Sequence, residues 1–438
     1  MNILAIESSC DETAAAILSG DPKNPKAVPE LLSNVVVSQI DIFKAYGGVI
    51  PEIAARNHLD AILPVIKKAF KDANFLTADK TENWDKIDAI AVTHTPGLLG
   101  SLLVGTLTAR TLAILHDKPL YAVHHLKSHI YANWLENNNP PEFPLLALVI
   151  SGGHTQIIYM KEHNHFEIIG TTRDDAVGEC FDKVAKILGL PYPGGPAITK
   201  AADGKIENAD GTNFVKVRPG DPEKYKFPHP KLTSAPRNPS PASASHDPKM
   251  PNNPSYDFSF SGLKTAVLRT AQEIAGVPIS TPSYELKNLL TPEQKADFAA
   301  SFEKTAVDIL LEKLNLAREN YPDVKSIVIA GGVSANTRLR EKTGQLFSRV
   351  YLPSNSATYI PDGAEKAARR ADFPGRPAYD VPEFDGTLEN SCPAFFPEPR
   401  FSGDNAAMVG AAAFYEIMSG VKPTDPYSLD IMPRSEIY

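Results

Sequence analysis

Two histidines and a distant aspartate are the residues of this chain whose types and spacing best suit metal chemistry. His125 and His129 stand four residues apart in AVHHLKSHIYAN, a stretch that can be helical, so both imidazoles would project from one face toward a common point. Two neutral imidazoles at this spacing form half of a divalent metal site, although a pair of ordinary polar histidines explains the spacing equally well. Asp404, in the later turn FSGDNAAMVG, is the candidate third ligand.

Two further turns carry polar groups between apolar strands. ILAIESSCDETAAAIL predicts a hairpin whose tip runs from Ser8 to Thr13, and LLALVISGGHTQIIYM predicts a second with its tip at residues 151–155. Glycine allows the backbone to approach a ligand, and hydroxyls and free amides suit phosphate or carboxylate oxygens, so both tips are candidate anion sites. Their repetition predicts two related lobes that face a shared cleft.

The segments between these hairpins predict an α/β lobe. IDAIAVTH is strand-like, the turn THTPGLLGS follows it, and LLGSLLVGTLTARTLAIL then has the apolar spacing of a helix. Another helix is predicted over IAARNHLDAILPVIKKAF. A helix N-terminus behind a glycine turn can bind an anion, but close helix packing is the more frequent role of such glycines.

Three single residues on later elements are candidate ligand contacts. A helix is predicted from Ala176 to Leu188, and Asp182 is the acid on it favoured for ligand contact, because the following turn PYPGGP would place Gly195 near the same cleft. VKSIVIAGGVSANTRLREKT runs from an apolar strand through a Gly-Gly turn into a helix near Asn336, which can bring backbone and an amide side chain against a nucleoside. A Gly-Gly turn alone is weak evidence, since many α/β proteins use one only to change direction.

Length, cysteine count and charge exclude several classes of protein. The 438-residue chain predicts two large lobes with insertions. Its first residues form no basic leader and no stretch approaches the roughly 18 apolar residues of a membrane span, which predicts a cytoplasmic protein. Its three cysteines form no C-x-x-C pair, so neither a disulfide framework nor a thiolate zinc cluster is supported. The net charge of −8 argues against a protein that coats nucleic acid but does not exclude a tRNA substrate.

Two segments differ from the rest in composition. Residues 201–256 are rich in proline, asparagine and serine and predict an irregular insertion. The same segment is locally basic, with Lys216 and Arg218 among its cations, so a solvated linker and a surface that contacts tRNA phosphates both explain it. Residues from about 362 to 400 predict a second irregular insertion before the Asp404 turn.

Eight motifs occur in order along the chain: ESSCDET, GGVIPEIAARNH, HHLKSH, VISGGHT, GECFDKVAKILGLPYPGGP, FSFSGLKT, AGGVSAN and GDNAAM. Together they resemble the tRNA N6-adenosine threonylcarbamoyltransferase family, formerly called glycoprotease or O-sialoglycoprotein endopeptidase. The resemblance implies a two-lobed actin-like ATPase (ASKHA) fold with duplicated α/β domains around a central cleft. On that fold we expect an N-terminal lobe over residues 1–121, completed by 423–438, and a C-terminal lobe over 122–422 that holds the metal and nucleotide site.

The resemblance also implies a reaction and its participants. The threonylcarbamoyl group of threonylcarbamoyl-adenylate would pass to the N6 amine of adenosine 37 in tRNAs that read codons beginning with A. Relatives in bacteria act with a paralogous subunit and a small ATPase, so a heteromeric complex without a membrane component is expected. The predicted helix within residues 47–70 is a candidate partner surface, with packing in the core as the alternative.

Carried over to this sequence, the family's site residues fall on the motifs above. The metal ligands correspond to His125, His129 and Asp404 and would hold one divalent ion, with Fe(II) favoured and Zn(II) possible. The substrate-binding positions correspond to Val149, Ile150, Ser151, Gly152, Gly153, Asp182, Gly195 and Asn336. Acyl transfer gains most from positioning and from stabilising charge on the carbonyl oxygen and the departing phosphate. We therefore expect the metal and the 151–153 turn to hold the threonylcarbamoyl end, and Asp182, Gly195 and Asn336 the adenosine end.

Asp11, with Glu12 beside it, is the expected catalytic carboxylate. Exposed loop acids are usually only solvated, but a turn that faces the cleft would let Asp11 act as a base or orient the attacking amine.

Three rival functions are weaker. A metalloprotease, which the former family name suggests, needs the glutamate of H-E-x-x-H, whereas this helix has the sequence HHLKSH. An ATP-dependent kinase or chaperone-like module of the same fold would hold Mg²⁺ through oxygen ligands rather than imidazoles. A non-catalytic scaffold would have little reason to keep the metal ligands, both anion turns and Asn336 together.

Overall fold

The structure is a computed structural model that describes residues 1–24, 26–135, 137, 139–207, 214–230, 255–347, 350–351, 392–434 and 437. Within these residues two β sheets with helices packed against them form a two-lobed α/β arrangement. The predicted insertions over 201–256 and 362–400 lie largely outside the described residues, which include only 201–207, 214–230, 255–256 and 392–400 of them.

The first lobe is built on a sheet whose central strands are apolar and buried on both faces, whereas its edge strand over 30–38 is partly exposed. Its elements are β1 (Asn2–Glu7), β2 (Glu12–Ser19), β3 (Glu30–Ser38), α1 (Ile40–Lys44), α2 (Pro51–Asp72), β4 (Ala89–Thr95), α3 (Leu99–Leu115) and β5 (Leu120–His124). The strand order in the sheet is β3-β2-β1-β4-β5. β1 pairs antiparallel with β2 but parallel with β4, and β4 pairs parallel with β5. The predicted first hairpin is therefore confirmed.

The second lobe follows the same plan with a longer helical section. Its elements are α4 (His125–Tyr131), β6 (Leu145–Ile150), β7 (Thr155–Met160), β8 (Phe166–Thr171), α5 (Val177–Leu188), α6 (Gly194–Ala202), β9 (Lys205–Glu207), β10 (Phe214–Lys216), α7 (Ser261–Ile274), α8 (Ser283–Leu286), α9 (Pro292–Asn320), β11 (Ser326–Ala330), α10 (Thr337–Leu346), β12 (Val350–Tyr351), β13 (Ala394–Phe395), α11 (Pro399–Ser402) and α12 (Ala406–Met418). Its main sheet has the order β12-β13-β11-β6-β7-β8. The second predicted hairpin, β6 with β7, is confirmed.

The two sheets repeat one topology. In each, the first strand of the main sheet pairs antiparallel with the second and parallel with the fourth in chain order, and the fourth pairs parallel with one further strand. Crossover connections of this kind bring the carboxyl ends of the parallel strands to one edge of each sheet. The prediction of two related α/β lobes is thus confirmed by strand order.

Helix α12 is covered on several sides and lies against both α4 and the first sheet. It packs against β1 and β2, and its alanines and glycine allow the close approach that this needs. The described part of the C-terminal segment also lies on the first lobe, where Arg110 donates to the carbonyl oxygens of Pro426, Tyr427 and Leu429.

The basic segment after α6 is partly ordered, contrary to the expectation of a wholly irregular insertion. β9 and β10 form a short antiparallel pair. Arg218 makes two hydrogen bonds of 2.8 Å to the carboxylate of Asp297 on α9, and this carboxylate also accepts from the backbone N–H of Asp221. Of the two explanations for the segment, the contact of Arg218 favours a structural role over phosphate binding.

No helix in the described part of the chain is both long enough and apolar enough to span a bilayer.

Gly331 is a position where the fold depends on the absence of a side chain. It follows β11 with φ of +90°, and a Cβ built there would collide with the carbonyl oxygen of Ile150 on the neighbouring strand. We expect Gly331→Ala to lower the free energy of unfolding by about 3 kcal/mol, since left-handed backbone strain and overpacking add. Gly332→Ala is the matched control, because a Cβ at Gly332 meets no atom within 4 Å. Urea unfolding of both variants measures the difference, and equal midpoints would contradict it.

Candidate active site

The site begins at the carboxyl ends of three parallel strands. β1, β4 and β5 run side by side in the same direction, so Glu7, Thr93 and His124 come together at one edge of the first sheet. Glu7 is completely buried, and it accepts hydrogen bonds from Thr93 Oγ1 at 2.6 Å and from the backbone N–H of Ser9 at 2.5 Å. A buried carboxylate held this way is fixed in position and ready to orient a cationic or N–H partner.

Helix α4 starts directly after β5 and presents the two predicted histidines. The side chain of His124 caps it by accepting from the backbone N–H of Leu126 at 3.2 Å. His125 and His129 lie one turn apart on it, with ring centroids 4.6 Å apart and ring planes at 79°. The prediction that these histidines share one helix face is confirmed.

Asp404 reaches the histidines from the turn between α11 and α12. Asn405 caps α12 by accepting from the backbone N–H of Met408 at 3.1 Å, which fixes the adjacent turn. One carboxylate oxygen of Asp404, Oδ1, then lies 3.4 Å from His125 Nε2 and 3.1 Å from His129 Nε2. The three residues each offer one ligand atom, and these atoms lie within 4.8 Å of one another.

The surroundings of these three side chains fit a divalent metal ion. His129 is almost fully buried, yet neither of its ring nitrogens makes a hydrogen bond of acceptable geometry to the described residues. A buried imidazole costs free energy when it lacks partners, and a metal ion would satisfy Nε2. His125 Nδ1 lies 3.3 Å from Glu7 Oε2 and 3.2 Å from Ser9 Oγ, so its other nitrogen, Nε2, is turned toward Asp404 as metal-binding histidines require. Sequence reasoning missed Glu7 and Ser9.

The charges of the cluster determine its proton content. Burial favours the neutral imidazole of His125, but Asp404 and Glu7 outweigh this effect and raise its pKa to about 9. Burial likewise opposes the charge on Asp404, while the positive charge of His125 and the contact with His129 outweigh it and hold the pKa of this carboxyl at about 2. Burial and the neighbouring imidazoles of His125 and His129 lower the pKa of the nearby His154 to about 4. At neutral pH the imidazole of His125 in the metal-free cluster is therefore protonated.

Metal binding at neutral pH is expected to release a proton from His125. The pKa of about 9 means that the metal-free imidazole is protonated at pH 7, and a coordinated imidazole must be neutral. Apparent affinity should thus rise about tenfold for each pH unit between 7 and 9 and level off above pH 9. Titration calorimetry with Zn²⁺ in two buffers of different ionisation enthalpy measures the released protons. A proton count of zero at pH 7 would contradict this assignment.

Asp11 and Glu12 lie beside this cluster, at the junction of the β1–β2 turn with β2. Burial raises the pKa of both carboxyls, and the negative charge of Asp404 adds to the effect. The negative charge of Asp11 raises the pKa of Glu12 further. The two carboxyls titrate as a pair and can hold one proton between them. Ser38, at the end of β3, donates a hydrogen bond of 3.1 Å from its Oγ to the Glu12 carboxylate.

A cavity of about 590 Å³ opens next to these carboxylates. Its walls come from β2, from β3 and from the segment that leads into α12, and they include Glu12, Ser38, Arg400 and Asp404. Glu12 and Asp404 are therefore accessible from solvent on this side.

The 151–153 turn closes the hairpin of β6 and β7. Val149 and Ile150 are buried in β6, so only their backbone can contact a ligand. Ser151 Oγ accepts from the backbone N–H of His154 at 3.2 Å, which orders the turn. Gly152 and Gly153 are exposed, and added Cβ atoms there would meet no atom within 4 Å. The N–H groups of both glycines make no hydrogen bond to the described residues, so they remain available to a ligand.

Asp182 lies beside the start of α6, the helix that carries Gly195, where α5 contacts α6. Asp182 Oδ1 accepts from the backbone N–H of Gly194 at 2.6 Å. Burial raises the pKa of Asp182 to about 6. Gly195 follows in the first turn of α6, with open space at its Cα. One oxygen of Asp182 is thus held by the neighbouring helix while the other can meet a ligand.

Asn336 makes structural contacts with both ends of its amide. Its Oδ1 caps α10 by accepting from the backbone N–H of Leu339 at 2.8 Å, and its Nδ2 donates to Glu303 at 2.8 Å and to Thr199 Oγ1 at 3.1 Å. Glu303 is buried on α9, and Thr199 lies on α6, the helix that begins at Gly194 and carries Gly195. This network ties Asn336 to the Asp182–Gly195 region, and sequence reasoning missed its other two members.

Comparison with known proteins identifies the family. Residues 30–368 match the family model described as TsaD, tRNA N6-adenosine threonylcarbamoyltransferase. A protein of that name from Symbiobacterium thermophilum is 40% identical over 420 residues, which cover 96% of this chain and 93% of the relative. This chain belongs to the tRNA N6-adenosine threonylcarbamoyltransferase family. Two further relatives carry the same name. The one from Staphylococcus haemolyticus is 38% identical and covers 96% of this chain and 92% of the relative. The one from Bacillus cereus is 43% identical and covers 79% of this chain and 82% of the relative.

Two solved structures that match this member of the family superpose on it only loosely. The match with a ROK hexokinase from Thermus thermophilus covers 79% of this chain and 89% of the hexokinase chain, with a TM-score of 0.33 and 13% sequence identity. YeaZ from Pseudomonas aeruginosa covers 38% of this chain and 63% of its own with a TM-score of 0.24 and 15% identity. Superpositions this poor do not bear on the placement of the threonylcarbamoyltransferase site, which is defined by the contacts above.

Proposed function

We propose that this chain transfers the threonylcarbamoyl group of threonylcarbamoyl-adenylate to the N6 amine of adenosine 37 in tRNAs that read codons beginning with A. The observation that carries the proposal is the convergence of His125, His129 and Asp404 beside the carboxylates of Asp11 and Glu12, in a chain that belongs to this transferase family. A metal site next to a potential general base suits attack by an amine on a carbonyl carbon.

His125, His129 and Asp404 would hold one divalent ion, for which the family resemblance favours Fe(II) over Zn(II). When bound, such an ion supplies Lewis acidity and a fixed anchor for donor oxygens. Glu7 and Ser9 orient His125 through Nδ1, which keeps Nε2 directed at the ligand position.

In the transfer step, the N6 nitrogen of the adenosine forms a bond to the carbamoyl carbon, and the bond from that carbon to the phosphate oxygen of AMP breaks. Asp11 accepts the proton that the amine loses, and AMP leaves as the phosphate monoester anion. The N–H groups of Gly152 and Gly153 would stabilise negative charge that develops on the carbamoyl oxygen.

The adenosine end of the donor would lie against α5, α6 and the start of α10. Asp182 offers its free carboxylate oxygen to a ribose hydroxyl, and Gly195 leaves room for the sugar or phosphate to approach the backbone. Asn336, held by Glu303 and Thr199, would contact the nucleoside with the remaining acceptor capacity of Oδ1.

The repeated strand order supports the finer fold assignment, an actin-like ATPase (ASKHA) fold. We place the lobes at residues 1–121 with 423–438 and at 122–422, and we place the enzyme in the cytoplasm with its tRNA substrate.

A heteromeric complex with a paralogous subunit and a small ATPase is part of the proposal. The outer face of α2 and α3 is the surface we assign to the paralogous subunit. It presents the exposed side chains of Leu59, Leu63, Leu99, Leu103 and Leu107. These residues recur every four positions along two helices that pack against each other, so they form two parallel apolar ridges that suit a second helix pair.

The test is reconstitution. The metal-loaded protein is incubated with threonine, bicarbonate, ATP, an adenylate-forming enzyme, the paralogous subunit, the small ATPase and an anticodon-stem tRNA, and the nucleosides are then analysed by mass. We expect threonylcarbamoyladenosine only when this chain is present, and none when adenosine 37 of the tRNA is replaced by guanosine. Absence of the modified nucleoside in the complete mixture would refute the proposal.

A further inference from the structure

The outer face of α2 and α3 that presents the five exposed leucines is called the leucine face, and the β1–β2 turn that carries Asp11 is called the catalytic turn. The two helices of the leucine face hold one carbonyl oxygen of the catalytic turn. The backbone oxygen of Cys10, the residue before Asp11, lies 3.0 Å from Nε2 of His58 on α2 and 3.0 Å from Oγ of Ser101 on α3. Both side chains are buried. The position of Asp11 is therefore set from two helices whose outer surfaces face solvent.

The hydrogen-bond pattern assigns the direction of the contact from α2. His58 Nδ1 lies 2.8 Å from Thr13 Oγ1, and burial lowers the pKa of the imidazole, which keeps it neutral. A neutral imidazole has one donor nitrogen, and a carbonyl oxygen only accepts, so Nε2–H donates to Cys10 and the Thr13 hydroxyl donates to Nδ1. His58 thus bridges the turn and the first residues of β2.

A second path from α2 reaches Asp11 itself. The backbone N–H of Gln39 donates to the carbonyl oxygen of Asp11 at 3.1 Å, and the Gln39 side chain accepts from Asn57 Nδ2 at 2.9 Å. Asn57 and His58 are adjacent on α2, so this helix holds the turn on both sides of Asp11.

Helix α3 is in close contact with the turn through several hydrogen bonds. Ser8 Oγ donates to the carbonyl oxygen of Ser101 at 2.8 Å, and the backbone N–H of Gly105 donates to Ser8 Oγ at 3.1 Å. A Cβ at Gly105 would collide with Ser8 Oγ, so α3 lies directly on the turn. The backbone N–H of Leu98 also donates to the carbonyl oxygen of Ser9 at 2.8 Å. A shift of α3 must therefore move the turn.

We propose that His58 and Ser101 are positioning residues that transmit the docking of the paralogous subunit on the leucine face to Asp11. The inference rests on the proposed function and deepens it. Leu59 follows His58 directly, and Leu99 and Leu103 flank Ser101, so less than one helical turn separates the docking surface from the hydrogen bonds to Cys10. A partner that fixes the relative position of α2 and α3 fixes the turn as well.

The first test separates positioning from folding. His58→Ala and Ser101→Ala are assayed in the complete complex with preformed threonylcarbamoyl-adenylate and anticodon-stem tRNA. We expect kcat to fall by about 10- to 100-fold, because a displacement of about 1 Å at a catalytic group costs this much, while KM for the adenylate stays within about twofold. His58→Gln, which keeps a donor at a similar reach, should recover most of kcat. A general loss of structure would not spare KM and would not be rescued by glutamine.

The second test measures transmission. Leu103→Arg is expected to reduce the stimulation of kcat by the paralogous subunit at subsaturating concentration. Lys68→Ala, an exposed change on the side of α2 that faces away from Leu59 and Leu63, is the matched control that should not. In the Ser101→Ala background we expect Leu103→Arg to have little further effect on the stimulation, because the connection is already broken. Independent effects of the two changes, or full kcat in both alanine variants, would overturn the inference. A wild-type complex that forms no threonylcarbamoyladenosine would instead refute the proposed function.

Discussion

Replacement of His129 by alanine is expected to remove the bound metal and to lower the rate of transfer by about 10²- to 10³-fold. His129 is buried, and neither ring nitrogen has a hydrogen-bond partner of acceptable geometry among the described residues, so a metal ion is the partner that explains its position. Loss of one of three protein ligands leaves His125 and Asp404 with too few donors to retain the ion against buffer. Metal analysis of the purified variant together with its turnover measures both effects.

Ser128→Ala is the matched control for this experiment. Ser128 lies on α4 next to His129, is buried, and donates to the carbonyl oxygen of His124 at 3.3 Å. Its loss perturbs the same helix without removing a metal ligand, so metal content should stay at the wild-type level. A His129→Ala protein that is fully metallated and active would show that the three side chains do not form the metal site.

Local spacing explains why part of this site could be predicted from the sequence. The spacing of four positions from His125 to His129 places both rings on one face of any helix, whatever surrounds it. The alternation of apolar residues with a polar tip defines each hairpin. These features depend on neighbours in the chain. Asp404, in contrast, lies more than two hundred residues away. Its polar turn made it a candidate third ligand, but no local spacing shows that it reaches the histidines.

The parts that escaped prediction depend on tertiary order. Glu7 is the last residue of an apolar strand, and its role emerges only because β4 and β5 lie parallel to β1 and carry Thr93 and His125 to the same edge. Glu303 sits in a helix of 29 residues, where an acid is usually solvated, and its bond to Asn336 requires the packing of α9 against α6 and α10. Arg218 resembled a phosphate ligand in composition, but its partner Asp297 lies 79 residues further along the chain.

Asp11→Asn is expected to abolish most of the transfer while donor binding survives. Removal of a general base costs about 10²- to 10⁴-fold in kcat. Asn lacks a basic oxygen but has nearly the same shape, so affinity for a non-reactive analogue of threonylcarbamoyl-adenylate should change by less than about twofold. Quenched-flow measurement of transfer and titration calorimetry with the analogue give the two quantities. Asp21→Asn, at an exposed position of the same lobe, is the control and should leave both unchanged.

The pH profile of the same variant gives an independent check. Burial raises the pKa of Asp11, so the folded protein holds its proton to higher pH than the unfolded chain does. The ionised form is the base, so wild-type kcat should fall as the pH is lowered through the titration of the Asp11–Glu12 pair, and the asparagine variant should lack this limb. The pH dependence of stability has the opposite sign: ionisation of Asp11 raises kcat but lowers the free energy of unfolding. Above the pKa of the folded state, ionisation of a buried carboxyl favours unfolding, so Asp11→Asn should be at least as stable as the wild-type protein at pH 8.

This combination separates the base from the metal site. Asp11 is not one of the three ligands, so its asparagine variant should keep a full complement of metal, whereas His129→Ala should lose both metal and turnover. Asp11 is kept at the site although desolvation of its charge costs free energy. An Asp11→Asn variant that is stable, binds metal and donor and is nevertheless inactive would assign Asp11 to the chemical step. Unchanged turnover in Asp11→Asn would remove this residue from the mechanism and leave Glu12 as the carboxylate to test.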